Sequence, residues 1–379
     1  MRVLHIHQRA SYFGGVEQIL HDTAEGLSSK GWPQALLYLD PDADPDFLSP
    51  FTDSAMSESV IERFRPDVAL VHKSEDLAQI TTVTGSIPTV RMVHDHDLVC
   101  LRRHKYFPLG GQICEHAAGL ACYRNLCCVQ RPSSPGVFPI VLRGLRSQRK
   151  KMAANRGMHR FIVGSRWMRG QLQKNDYPGD CIDVIHPVPR DLDSVRFLPF
   201  SSSPEILYVG QIIRGKGVDL LLRALSLVRN PWRVTIVGVG NHLDYCRALA
   251  DELSLGDRVR FPGWVPHQEL EAYYARARFT VVPSRWPEPF GMVGLEAMSR
   301  GRPVVGFAAG GIPDWLADGL AGLLVPAGDI DEFARAMDRL LADQKLAESL
   351  GRGAAKLAAE KFSHHGYLRE LMVSLEGAT

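Results

Sequence analysis

The amino-acid sequence predicts an α/β protein made of two doubly wound halves, each a parallel sheet covered by helices. Three observations carry that prediction. Short apolar runs of strand length alternate with longer amphipathic segments, the pattern of parallel strands joined by crossover helices. The alternation halts at Ser201-Ser-Ser-Pro204 and then begins again, which divides the chain near 195–204. The 379 residues, 45% hydrophobic and 23% charged, suffice for two cores of ordinary globular composition.

In the first half, strands are expected at Val3–His7, Ala35–Leu39, Val68–His72, Thr89–His94, Phe161–Val163 and Asp183–His186. The opening run, Met1-Arg-Val-Leu-His-Ile-His, is broken by histidines and does not read as a signal peptide. No apolar run approaches the roughly 18 residues of a membrane span. A cytoplasmic location is therefore expected, with the seven cysteines mostly reduced. Lys+Arg 44 against Asp+Glu 42 leaves a net charge of +2, so global charge predicts no nucleic-acid partner.

Three features of this half could carry function. Tyr12-Phe13-Gly14-Gly15-Val16-Glu17 is a glycine pair opening a helix, where backbone N–H groups can approach a phosphate; a tight packing turn is the competing reading. His94-Asp95-His96-Asp97 follows a strand at its carboxyl end, where ligands of open α/β sheets gather, and His94 is the leading candidate with His96 second. An insertion over about 98–131 holds Cys100, Cys114, Cys122, Cys127 and Cys128, with His104 and His116 between them. Cys100, Cys114, Cys122 and Cys127 are the candidate ligands of a structural zinc or iron–sulfur cluster. No C-x2-C pair is present, so free thiols and a disulfide stay open. Beyond it, residues 143–160 carry seven cations: Arg143, Arg146, Arg149, Lys150, Lys151, Arg156 and Arg160. They read either as a solvated helix face or as an attachment to an anionic membrane surface.

In the second half, strands are expected at Ile206–Val209, Val234–Gly238, Val259–Phe261, Phe279–Val282, Pro303–Phe307 and Leu323–Val325, with a final amphipathic helix over Tyr367–Glu376. Gly210-Gln-Ile-Ile-Arg-Gly215-Lys216-Gly217 fits the opening of a P-loop. It then puts glycine where the Mg²⁺-binding hydroxyl belongs, which disfavours a P-loop NTPase. Gly238-Val-Gly240 lacks the third glycine of a dinucleotide fingerprint, since Leu243 stands there.

The richest stretch is Val281-Val-Pro-Ser-Arg-Trp-Pro-Glu-Pro-Phe-Gly-Met-Val-Gly-Leu-Glu296. It reads as a buried strand, an irregular loop and a helix opening at Gly291, an arrangement that offers backbone N–H groups to an anion. Glu288 precedes the helix and Glu296 lies within it. Eight helical residues rise about 12 Å, against roughly 5 Å between the carboxylates of a retaining glycosidase. The two glutamates are thus expected to grip separate parts of one long ligand, such as a sugar nucleotide; two solvated glutamates are the competing reading.

Glu288-x-Phe290-Gly291-x4-Glu296 resembles the donor-site signature of retaining glycosyltransferases with the GT-B fold, the large family four. Phe261-Pro-Gly-Trp264-Val265, Pro283-Ser284, Arg302-Pro303-Val304-Val305, Gly310-Gly311-Ile312-Pro313-Asp314 and Gly322-Leu-Leu-Val-Pro326 stand in the order that family shows. The resemblance implies two Rossmann-like domains, at 1–195 for the acceptor and 196–362 for the nucleotide-sugar donor. It also implies an interdomain cleft and a C-terminal helix, 363–379, crossing back to the first domain. Glu296 would hold the ribose hydroxyls and Glu288 those of the sugar. Lys216 and Arg214, with backbone at Phe290, Gly291 and Met292, would hold the diphosphate. Gln211, after Gly210, stands where the family has arginine, a departure that Arg214 would compensate. Trp264-Val265 would border the base. His94 would contact the transferred sugar, and Gly14-Gly15 would line the donor phosphates.

The implied activity is retaining transfer of a hexose or related sugar to a glycan, polysaccharide or lipid-linked hydroxyl acceptor, as in cell-envelope polysaccharide biosynthesis. No catalytic metal or cofactor is expected, since lysine and a helix N-terminus carry the charge. The basic run implies peripheral contact at the inner face of a membrane. A non-catalytic nucleotide-sugar binding subunit and a GT-B sugar-nucleotide epimerase are the alternatives.

Overall fold

The computed structural model describes residues 1–130, 140–194 and 196–379. The last residue of the expected cysteine-rich insertion, 131, and the domain boundary at 195 lie outside them. The chain divides into two units, one of Met1–Arg103, Glu115–Arg190 and His364–Thr379, the other of His104–Cys114 and Asp191–Ser363. Part of the expected insertion, His104–Cys114, therefore belongs to the second unit and the rest to the first.

The first unit holds β1 (Val3–His7), β2 (Gln34–Leu37), β3 (Asp53–Ala55), β4 (Val68–Lys73), β5 (Thr89–Val93), the short β6 (Val129–Gln130) and β7 (Val141–Leu142), β8 (Arg160–Val163) and β9 (Ile182–Val184). Its seven-stranded sheet runs β3-β2-β1-β4-β5-β8-β9, all parallel, while β6 and β7 form a separate antiparallel pair. Helices cover both faces, so β1, β2 and β5 are buried along their whole length. Val71, Val93, Phe161, Val163 and Ile182 join one apolar core with Met152, Met168 and Leu172 from the helices. The edge strand β3 was not legible in the sequence: Asp53-Ser-Ala is half-buried and offers no apolar run. Helix His364–Glu376 closes this unit. Its Tyr367 hydroxyl lies 2.7 Å from Thr23 Oγ1, and its Ser374 donates to Asp183 at 2.7 Å. Leu368 packs so tightly on the helix Gly15–Ser29 that a Cβ at Gly26 would sit 2.5 Å from it.

The second unit holds β10 (Glu205–Val209), β11 (Arg233–Val237), β12 (Val259–Gly263), β13 (Phe279–Val282), β14 (Val304–Phe307) and β15 (Gly322–Val325), in the order β12-β11-β10-β13-β14-β15. All its pairs are parallel. In each sheet the chain winds outward in one direction and then returns to build the other, so the order reverses between β1 and β4 and again between β10 and β13. Ligands of open α/β sheets bind outside the carboxyl ends of strands at such a reversal. The loops following β10 and β13 in the second unit, and those following β1 and β4 in the first, occupy those positions.

Candidate functional site

In the second unit, two loops meet at the reversal. Lys216, in the turn after β10, donates to both oxygens of Glu288 at 2.8 and 2.9 Å. Ser284, at the end of β13, donates to Glu288 Oε1 at 2.5 Å. The Glu288 side chain is 5% exposed and that of Lys216 is 21% exposed, so this is a largely desolvated ion pair with one end open to water. The Trp286 ring lies 5.2 Å from the ammonium. Glu288 is held by its backbone as well: its N–H donates to Ala309 and its carbonyl accepts from Gly311 at 2.7 Å. Gly310 has φ +65°, and a Cβ there would come within 2.3 Å of the Glu288 carbonyl. The residues Gly310-Gly311 thus serve to seat Glu288.

The glycine that breaks the P-loop pattern has a steric cause. Gly217 has φ +72°, and a Cβ would stand 1.8 Å from the Pro283 carbonyl, so the turn after β10 lies directly on the loop after β13. Trp286 N–H donating to Gly215 O at 2.8 Å, and Arg285 bridging Arg214 O at 3.0 Å and Asp219 at 2.7 Å, bind the same two loops. Arg214 itself is exposed and donates to Pro108 O at 3.4 Å. Gln211 is exposed, and its carbonyl accepts from the Tyr208 hydroxyl at 2.8 Å.

Helix Met292–Ser299 starts at Gly291 (φ +100°) with no side-chain cap, so its first N–H groups are presented without a local acceptor from the cap residue. Trp315 fixes that start by donating to Phe290 O at 2.7 Å, and its ring would be struck at 2.0 Å by a Cβ at Gly294. Glu296, one turn in, is half-buried and accepts from the Tyr274 hydroxyl at 3.4 Å. Burial raises its carboxyl above the ordinary carboxylate value, against the pull of Arg300 and His267. Trp264 is 71% exposed beside the half-buried Val265, directly after β12. Ser284 enters the sequence reading only within the Pro283-Ser284 motif, and Trp286, Tyr274 and the Arg285–Asp219 clamp carry no sequence signal of their own.

In the first unit, Gly14 precedes helix Gly15–Ser29 in extended conformation, again without a side-chain cap. Glu17 is buried and accepts from His7 at 3.0 Å. Burial opposes its ionisation, yet the His7 bond holds its carboxyl below the usual range. Half-buried His94 follows β5, its Nε2 lying 3.0 Å from His72 Nδ1. Burial, with His7 and Arg91 nearby, lowers it to about 3. His96 is fully buried with its ring edge-on to Trp167 at 5.3 Å.

Among the described residues, no three or more His, Cys, Asp or Glu side chains gather as a metal ion would require. Cys114 belongs to the second unit, whereas Cys100, Cys122 and Cys127 belong to the first. The seven-cation run is also not uniform. Lys151 turns to Asp97 at 3.7 Å, Arg156 to Asp176 at 3.7 Å and Arg160 to Asp183 at 2.8 Å. Arg143, Arg146, Arg149 and Lys150 are exposed beside Leu142, itself 72% exposed. No helix of the described residues is long and apolar enough to cross a membrane.

Residues 190–357 match the family model for glycosyl transferases group 1. The D-inositol 3-phosphate glycosyltransferase of Frankia alni is 36% identical over 228 residues, 54% of this chain and 55% of that protein. The chain spans about half the length of the curated relatives it matches. Among solved structures, the sucrose-phosphate synthase from Thermosynechococcus elongatus superposes with a TM-score of 0.75 at 20% identity, covering 100% of both chains. Anabaena HepE in complex with UDP-glucose gives 0.73 at 18% identity over 99% of each. The fold is GT-B, and residues 190–357, within the second unit but for Arg190, carry the likeness to the glycosyl transferases group 1 family.

Proposed function

We propose that the protein is a retaining glycosyltransferase that moves a sugar from a nucleoside diphosphate sugar to a hydroxyl acceptor. The observation that carries this reading is the pairing of Lys216 with Glu288 beside the uncapped start of helix Met292–Ser299, with Glu296 one turn further on. A lysine and free N–H groups suit the anionic diphosphate. Glu288 and Glu296 are acceptors for sugar and ribose hydroxyls. Trp264 and Val265 border the base. Arg214, three residues on, supplies the charge missing where Gln211 replaces the family's arginine. The family resemblance further assigns His94 to the sugar and the Gly14-Gly15 backbone to the phosphates. That a solved neighbour is recorded with UDP-glucose supports a donor of this class.

The acceptor oxygen attacks the anomeric carbon on the face the phosphate leaves. The carbon–oxygen bond to the diphosphate breaks, and the acceptor's proton passes to a phosphate oxygen. Lys216 and the helix N–H groups stabilise the charge growing on that leaving group. The four exposed cations and Leu142 serve peripheral attachment to an anionic membrane, where a glycan or lipid-linked acceptor would be met. Co-sedimentation with phosphatidylglycerol vesicles tests this, and equal binding by an Arg146→Ala/Arg149→Ala variant would overturn it.

The donor assignment is tested by thermal stabilisation with UDP, GDP, ADP and TDP and their sugar conjugates. A ligand at 100 times its Kd adds about 2.7 kcal/mol. One nucleotide should stabilise the wild type and lose its effect in Glu296→Ala. No stabilisation by any of them would refute the donor site.

A further inference from the structure

Three histidines and a glutamine form a line across the first sheet. Gln34 opens β2, His5 lies on β1, His72 on β4 and His94 directly after β5, and these strands are neighbours in that order. Gln34 is opposite Val3, His5 is opposite Leu70, and Leu70 is opposite Val90. Each step along the line therefore moves one strand across and two residues up. A two-residue step preserves the face, so all four side chains share one side of the sheet.

The contacts are short. His5 Nε2 lies 2.7 Å from Gln34 Oε1, His5 Nδ1 lies 3.0 Å from His72 Nε2, and His72 Nδ1 lies 3.0 Å from His94 Nε2. The three rings are stacked nearly parallel, at 14° and 13°. One end of this line has a fixed polarity. The Gln34 amide nitrogen donates to the Trp32 carbonyl at 2.6 Å, and a carbonyl only accepts. The Gln34 oxygen must then face His5 and accept from it. A neutral imidazole has one N–H, so His5 donating from Nε2 has a lone pair at Nδ1. His72 must fill that lone pair with its own Nε2–H, and His94 must do the same for His72. Burial, the largest influence, keeps the three rings neutral near pH 7, lowering His5 to about 4 and His94 to about 3.

We infer that Gln34, His5 and His72 are positioning residues that lock His94 as its Nε2–H tautomer, so that His94 Nδ1 is a hydrogen-bond acceptor for a hydroxyl group. His94 then neither donates from Nδ1 nor carries charge. Under the glycosyl transfer proposed above, that hydroxyl belongs to the transferred sugar. Only this last step rests on that reading, because the tautomer order follows from the amide and the three contacts.

The test is a long-range ¹H–¹⁵N spectrum of the full chain at neutral pH, with single His→Gln variants for assignment. His5, His72 and His94 should each show the Nε2–H pattern, and an Nδ1–H pattern at any of them would overturn the inference. Gln34→Leu removes the terminal acceptor and should shift His94 towards Nδ1–H. Gln34→Glu, buried and protonated, can still donate to Trp32 and accept from His5, and should restore the wild-type pattern. Unchanged tautomers in Gln34→Leu would show that the glutamine sets nothing. In the same variant kcat/KM for the sugar donor should fall roughly threefold to tenfold, the value of one neutral hydrogen bond, while affinity for the nucleoside diphosphate alone stays constant. A shifted tautomer with unchanged kcat/KM would remove His94 from the sugar and leave the tautomer lock standing. The spectra give their answer even if no nucleotide binds.

Discussion

Replacing Lys216 by methionine separates a structural pair from a merely adjacent one. Glu288 would keep the Ser284 hydroxyl as a donor and lose both bonds from the ammonium, leaving a carboxylate that is 5% exposed without its counter-ion. Breaking a buried pair in this way costs about 3–5 kcal/mol. The Lys216 side chain is 21% exposed, so water reaches one end of the pair, and a loss of about 2–3 kcal/mol is expected. Glu288→Gln keeps an oxygen for Ser284 and strands a better-hydrated lysine, so it should cost about 1–2 kcal/mol. The double variant removes both charges and should recover at least about 1 kcal/mol of the summed losses. Urea unfolding of all four proteins, followed by tryptophan fluorescence, reads this coupling through the transition to which Trp286 and Trp315 contribute. Additivity within about 0.5 kcal/mol would refute the pair as an energetic unit. Lys216→Met should also lose most of the stabilisation that nucleoside diphosphates give the wild type, because the ammonium is proposed to hold the diphosphate.

Full transfer activity in excess EDTA is expected, and a complete loss restored by Mg²⁺ would overturn metal-independent stabilisation of the leaving group. Gly217→Ala should destabilise the second unit by more than the roughly 1–2 kcal/mol of a left-handed residue, since its Cβ would meet the Pro283 carbonyl at 1.8 Å; an unchanged melting temperature would refute that close approach. Buried His5 is lowered from 6.5 to about 4, so between those values the unfolded chain binds a proton that the folded chain refuses. Its contribution is fully present above pH 6.5 and is lost as pH falls towards 4, about 3 kcal/mol in all. His5→Gln should flatten the acid limb of stability against pH, and an unchanged slope would refute the neutral buried imidazole.

The strands were legible because burial on both faces writes them as continuous apolar runs. Val68–Lys73, Thr89–Val93 and Phe279–Val282 are nearly wholly buried and were placed to within a residue. The edge strand Asp53–Ala55 was invisible for the complementary reason: an edge needs one ladder and little apolar surface, so hydrogen bonding to β2 defines it and composition does not. Membership of His104–Cys114 in the second unit was equally hidden, because chain order carries no information about which core a long excursion joins.

Sequence motifs in the site recorded backbone constraints better than side-chain partnerships. Gly217 and Gly310 are glycines because carbonyls of Pro283 and Glu288 occupy the space a Cβ would take, and such constraints leave a residue type behind. The bond between Lys216 and Glu288 joins positions separated by 72 residues and leaves no spacing to read. The family resemblance places Lys216 on the diphosphate and Glu288 on the sugar, whereas in this structure each satisfies the other. Under the proposed function the two statements are reconciled if donor binding exchanges one partner for another, Lys216 turning to phosphate and Glu288 to a sugar hydroxyl. That exchange has a physical advantage. Each charge is already desolvated and oriented by its counterpart before substrate arrives, so binding need not order two long side chains from water. Ser284 and the Gly311 backbone N–H would hold Glu288 in place through such an exchange, which gives the Pro283-Ser284 and Gly-Gly motifs a positioning role.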